Sequence, residues 1–175
     1  MRVLSPKWAT DPSSGAGAAV RGGRFNEQGL PALYLSFDLE VAANEYGQDL
    51  PGRAGTFCHY DVSLSPVADL TSEGTLSALN LTRADLTASW KDQLRRKLRP
   101  TTWDIAGKLI SLGYVGAAYE SVLAKNRPPL RATSGINLVI WKWSTTTTSQ
   151  LVVPLDPDDS LPKNQNSWST PAASS

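Results

Sequence analysis

The segment Gly22-Gly23-Arg24-Phe25-Asn26 places an arginine directly behind two glycines. Glycines let a backbone turn tightly or approach a ligand closely. An arginine fixed by such a turn forks onto a phosphate or a carboxylate. The same segment also reads as a surface turn with an ordinary salt bridge. Glu45 is the second candidate. It lies on a predicted helix, at the edge of the apolar stripe Leu39, Ala42, Ala43 and Tyr46 rather than on the wet face. A half-buried carboxylate calls for either a structural partner or a role in a site. Ser121 is the third, closing the strand-like run 114–120, where a serine is commonly just a strand end.

Much other chemistry is excluded by what is missing. The chain has one histidine, His59, and one cysteine, Cys58. That removes any mechanism needing two histidines, a cysteine-rich zinc site and an intrachain disulfide framework. Catalytic triads need a histidine placed by a third group. Cys58 and His59 are neighbours in a strand-like run, so alternation turns them to opposite faces. Both read as structural residues, Cys58 as a small core side chain. There is no Walker A sequence, and Gly15-Ala16-Gly17 neither follows a predicted strand nor opens a predicted helix, so it is no dinucleotide fingerprint.

These residues must be held by a domain of modest size. The 175 residues suit one globular unit. Seventeen Lys and Arg stand against sixteen Asp and Glu, a net charge of +1, which gives no global electrostatic footprint for nucleic acid or a membrane surface. No apolar run is long enough to span a bilayer, and the N-terminus has no signal core; the expectation is a soluble, cytoplasmic protein. Residues 1–154 read as the compact domain. Residues 155–175, rich in Pro, Ser, Asn and Asp, read as a mobile tail.

The first 30 residues carry too many glycines and prolines for a helix and read as irregular. A strand follows over 32–36, then a helix capped by Asp38 and running to about Asp49. Strands are predicted over 56–63 and 67–70. The middle is helical: a short helix capped by Ser72 or Thr71, a helix from Thr82 with Asp85 to about Leu98, and a third from Thr101 or Thr102 to Leu112, closed by Gly113. The basic run 91–99 reads as a solvated helix face with Trp90, Leu94 and Leu98 inward, or as a partner or phosphate patch. Strands are predicted over 114–121, 136–143 and 151–153. Trp8, Trp141 and Trp143 read as core. Strands at both ends with helices between them make an α+β domain.

Taken together, these pieces resemble the RES-domain family. The stretch Arg2-Val3, Trp8-Ala9, Pro12-Ser13-Ser14-Gly15-Ala16-Gly17-Ala18, Gly22-Gly23-Arg24-Phe25-Asn26, Gly29 and Pro31-Ala32-Leu33-Tyr34-Leu35-Ser36 is similar to its N-terminal signature. Ala42-Ala43-Asn44-Glu45-Tyr46 resembles its Glu-bearing helix. Gly113-Tyr114-Val115-Gly116, Ser121 and Asn137-Leu138-Val139-Ile140-Trp141 resemble its C-terminal signature. The resemblance spans about residues 2 to 154.

It implies an ADP-ribosyltransferase-like split β-core with flanking helices, gripping NAD+ as substrate rather than cofactor. The implied activity is cleavage of the nicotinamide–ribose bond by hydrolysis or phosphorolysis. The alternative is ADP-ribosyl transfer to a protein target. Arg24, Tyr34, Glu45 and Ser121 match the family's catalytic residues and Arg2 a further N-terminal arginine. Asn26 and Tyr46 are candidate NAD+ contacts, each equally readable as structural. No metal is implied. The implied setting is a bacterial toxin encoded beside an Xre-type antitoxin that blocks the active site.

Overall fold

The computed structural model describes residues 1–49, 54–122 and 135–164. Its strands form two sheets. β1 (Arg2–Leu4), β3 (Thr56–Leu64) and β7 (Gln150–Leu155) make a three-stranded antiparallel sheet in the order β1-β3-β7. β2 (Leu33–Ser36), β6 (Ile136–Ile140), β5 (Gly116–Glu120) and β4 (Val67–Asp69) make the second, in the order β2-β6-β5-β4, with only the β4/β5 pair parallel. The helices are α1 (Ala16–Arg21), α2 (Leu39–Asp49), α3 (Glu73–Ala78), α4 (Arg83–Thr87), α5 (Trp90–Arg95) and α6 (Thr101–Ser111). The chain is therefore α+β, with its β-core split in two.

Alternation along the second sheet sends its side chains into two different cores. Leu33, Leu35, Leu138 and Ile140 pack against Val152 and the half-buried Tyr60 and Val62 of the first sheet. Ala117, Tyr119 and Val139, on the other face, pack under Leu76, Leu86, Ile105, Ala106 and Leu109 from the helices, with Phe25. The four-stranded sheet is thus the middle layer, covered on both faces. A third cluster joins Leu4, Ala9 and Cys58, with Leu161 packed against it. Cys58 is buried and His59 exposed, on opposite faces of β3 as alternation requires.

Local signals explain most of the boundaries. Asp38 accepts from the Glu40 and Val41 amides and starts α2. Thr82 and Asp85 form a reciprocal capping box at α4. Ser72 caps α3, and Gly113, at φ 89°, ends α6.

Several elements differ from the sequence expectation. The first 30 residues are not irregular throughout: β1 pairs with β3, and α1 runs between Gly15 and Gly22. Those two glycines bound the helix instead of interrupting it, and Gly15 does open a helix, although a 3-10 turn over Pro6–Trp8 rather than a strand precedes it. The helix expected from Thr82 to Leu98 breaks at Ala88, where ψ is 131°, and Ser89 caps a new one. α5 ends at Arg95, and Leu94 and Leu98 are exposed, not inward. β6 stops at Ile140, short of Trp143. At the C-terminal end β7 reaches Leu155, and Asp156 accepts from the Ser160 and Leu161 amides; the part of the expected tail from 165 onward lies outside the described residues.

Candidate functional site

The site begins with a loop whose carbonyls are all clamped. After α1, Gly22 adopts φ 71°, a left-handed conformation that favours glycine. The Gly23 amide then donates to the Asn26 carbonyl at 2.8 Å. Three side chains hold the next three carbonyls: Trp103 Nε1 donates to Gly23 O (2.8 Å), Thr102 Oγ1 to Arg24 O, and Trp141 Nε1 to Phe25 O (2.8 Å). Tyr34 Oη accepts from the Phe25 amide at 2.9 Å and donates to Asn26 Oδ1 at 2.8 Å. A Cβ on Gly23 would stand 2.6 Å from both Tyr34 Oη and Asn26 Oδ1, so residue 23 has no room for a side chain.

This loop presents Arg24 to the helix-covered face of the middle sheet. The guanidinium lies 5.1 Å from the Tyr119 ring centroid and 5.3 Å from that of Phe25, within cation–π range. Its NH1 donates to the Glu120 carbonyl (3.4 Å) and its NH2 to the Leu86 carbonyl. Burial pulls the guanidinium below its ordinary pKa, while Tyr119, Glu45 and Tyr34 pull the other way; an arginine remains a cation throughout. Burial also raises the Tyr34 hydroxyl well above its ordinary value, so it acts as a neutral donor. A pocket beside Arg24 is lined by Arg83, Leu86, Thr87, Tyr119, Glu120 and Val122.

Glu45 arrives from α2. Its Oε1 accepts from Ser121 Oγ at 2.8 Å and from Asn137 Nδ2 at 3.1 Å. Strand register explains the convergence. Asn137 is the partner of Ser36 on β2 and of Tyr119 on β5, so these three form one row on one face. Ser121, two residues beyond Tyr119, falls on the same side, and its amide donates to Gly135 O at 2.7 Å. Tyr34 lies on that face too, opposite Val139.

Of the seven candidate residues, Arg24, Tyr34, Glu45 and Ser121 therefore gather around one face. Asn26 accompanies Tyr34 but is fully buried, its amide donating to the Ala18, Glu27 and Leu30 carbonyls. It shapes the loop and offers no exposed atom to a ligand. Arg2 and Tyr46 are not hydrogen-bonded to this group among the described residues. Arg2 NH1 donates to Ser14 O at 3.2 Å beside Tyr60, and burial lowers its pKa. Tyr46, about 100° around the helix from Glu45, donates to the Ala54 carbonyl at 2.7 Å.

Two residues of the group were missed from sequence: Tyr119 and Asn137. Counting back by two from Ser121 reaches Tyr119. Asn137 is the lone polar side chain in the apolar run Ile136-Asn137-Leu138-Val139-Ile140, and a buried polar group inside a strand is itself a signal. Among the described residues no group of three His, Cys, Asp or Glu side chains could hold a metal ion. None of the described helices is long and apolar enough to cross a membrane.

A family model described as the RES domain matches residues 1–164. No curated protein matches the sequence. Among solved structures, the chain is similar to one in the crystal structure of the M. tuberculosis MbcT–MbcA toxin–antitoxin complex. The TM-score is 0.63 at 21% identity, covering 89% of this chain and 79% of that one. The likeness is one of fold.

Proposed function

The chain belongs to the RES domain family, and on that basis we propose that it is the toxin of a bacterial toxin–antitoxin pair that depletes NAD+ by cleaving the nicotinamide–ribose bond. The observation that carries this reading is the convergence of Arg24, Glu45 and Ser121 on one sheet face. The carboxylate is held by two donors, and the arginine is stacked on Tyr119.

Cleavage expels neutral nicotinamide and builds positive charge on the ribose. The enzyme gains rate by favouring that charge over the ground state. Glu45 supplies the fixed negative charge and a hydrogen bond to a ribose hydroxyl. Arg24 has five N–H donors, and its two bonds to backbone carbonyls leave others to fork onto the pyrophosphate. Tyr119 gives the pocket beside Arg24 an aromatic wall, and Tyr34 braces the loop that carries Arg24. Ser121 donates its hydroxyl proton to Glu45 and so orients the carboxylate. Water, or inorganic phosphate, then attacks the ribose. An Xre-type antitoxin would block this cleft, in keeping with a fold shared with a chain of a toxin–antitoxin complex.

The alternative is ADP-ribosyl transfer to a protein. It draws on the exposed Leu94 and Leu98 beside exposed Arg95, Arg96 and Lys97, a surface suited to docking a macromolecular acceptor. Incubating purified protein with NAD+, with and without phosphate, and weighing the products separates the cases. Free ADP-ribose marks hydrolysis, ADP-ribose 1″-phosphate marks phosphorolysis, and a labelled protein acceptor marks transfer. Intact NAD+ both with and without phosphate would refute the proposal.

A further inference from the structure

Asn137 is 5% exposed, on the middle strand pair of a sheet covered on both faces. A buried amide in that position is costly unless both its ends are used. One end is used: Nδ2 donates to Glu45 Oε1 at 3.1 Å. The other, Oδ1, is buried with no hydrogen-bond partner, and the amide also interacts with the Tyr119 hydroxyl across the strand pair. An apolar residue such as the neighbouring leucine or valine would fill this place in the strand without that cost. What the asparagine adds is a second donor on the same carboxylate oxygen that Ser121 addresses.

The consequence is geometric. A carboxylate held by one hydroxyl can swing about that bond. Two donors from different segments, Ser121 after β5 and Asn137 on β6, fix the oxygen they share, and thereby fix the plane and direction of the other. Among the described residues neither donor goes to Oε2, so Oε2 is the oxygen left for a substrate. The donor must also be neutral. An aspartate at 137 would have the same shape but would set one carboxylate against another.

We propose that Asn137 is a positioning residue that, together with Ser121, aims Glu45 Oε2 at the reacting sugar. The inference rests on the reading of this site as an NAD+-cleaving one. A hydrogen bond to a charged group of this kind supports a loss of about 10- to 100-fold in rate when it is removed.

The test pairs turnover with a crystal structure. Asn137→Ala should lower kcat for NAD+ consumption by about 10- to 100-fold while KM stays within about twofold. Asn137→Asp, which keeps the shape but sets a second buried carboxylate against Glu45, should lose more than Asn137→Ala. In a crystal structure of Asn137→Ala, Glu45 should leave its present side-chain conformation. Wild-type kcat in Asn137→Ala, or a raised KM at unchanged kcat, would overturn the proposal. So would an unmoved Glu45 in the variant crystal. If the wild-type protein itself leaves NAD+ intact, the functional reading fails, and the Glu45 conformation alone still decides whether Asn137 positions it.

Discussion

At the scale of single residues the central pair is Arg24 and Glu45, and the structure gives each a reason for its identity. Arg24 bridges the Leu86 and Glu120 carbonyls while lying on Tyr119. A lysine would keep the charge and lose the fork. Arg24→Lys should therefore cut NAD+ consumption by about 100-fold or more, measured as initial rate with the purified variant. Glu45→Gln keeps an acceptor for Ser121 but removes the charge that favours the ribose cation. It should lower kcat by about 1,000-fold with the near-ultraviolet circular dichroism unchanged. Arg24 and Glu45 were legible from sequence because an arginine behind two glycines and a carboxylate at a stripe's edge are each odd on their own. Asn26 was read as a candidate NAD+ contact or a structural residue; that it braces the loop was not legible, since its three carbonyl partners come from two different segments. Tyr119 and Asn137 each leave a signal in the sequence, but their meeting with Glu45 depends on a strand register that only the paired sheet supplies.

At the scale of elements, the Arg24 loop behaves as a unit built by side chains of distant segments. Trp103 and Thr102 of α6 and Trp141 after β6 each satisfy one of its carbonyls. This also explains why Trp141, expected as plain core, carries a hydrogen bond as well as packing. Thr102 is fully buried. Thr102→Val keeps its shape and strands the Arg24 carbonyl without a donor, which should cost about 1–3 kcal/mol, read as a shift in the urea midpoint. Gly23→Ala forces a methyl group against Tyr34 Oη and Asn26 Oδ1, each 2.6 Å away. It should destabilise by about 1–3 kcal/mol and lower NAD+ turnover through the displaced arginine. Capping signals made α2, α3 and the start of α4 readable in advance. The break between α4 and α5 was not: the chain bends at Ala88, before Trp90, and α5 ends at Arg95 although Leu98 keeps helical spacing with Trp90 and Leu94. Periodicity reports which residues are apolar, not whether a neighbouring layer exists to bury them.

At the scale of the whole molecule, the four-stranded sheet separates two jobs. One face packs on the three-stranded sheet through Leu33, Leu35, Leu138 and Ile140. The other face carries both the helix-packed core and the gathered Tyr34, Tyr119, Ser121 and Asn137. Strands at both ends of the chain with helices between them sufficed to expect the α+β class. The split of the strands into two sheets came only with the resemblance, because β1 is three residues long and its pairing with β3 is non-local. If the cleft on the second face is where an Xre-type antitoxin acts, adding that antitoxin in equimolar amount should stop NAD+ loss without unfolding the chain. The most direct test of the central claim is product analysis by mass after wild-type protein and Glu45→Gln are each incubated with NAD+, with and without phosphate. The account predicts nicotinamide release with ADP-ribose or its 1″-phosphate from the wild type alone. Intact NAD+ with the wild type, or equal turnover by Glu45→Gln, would contradict it.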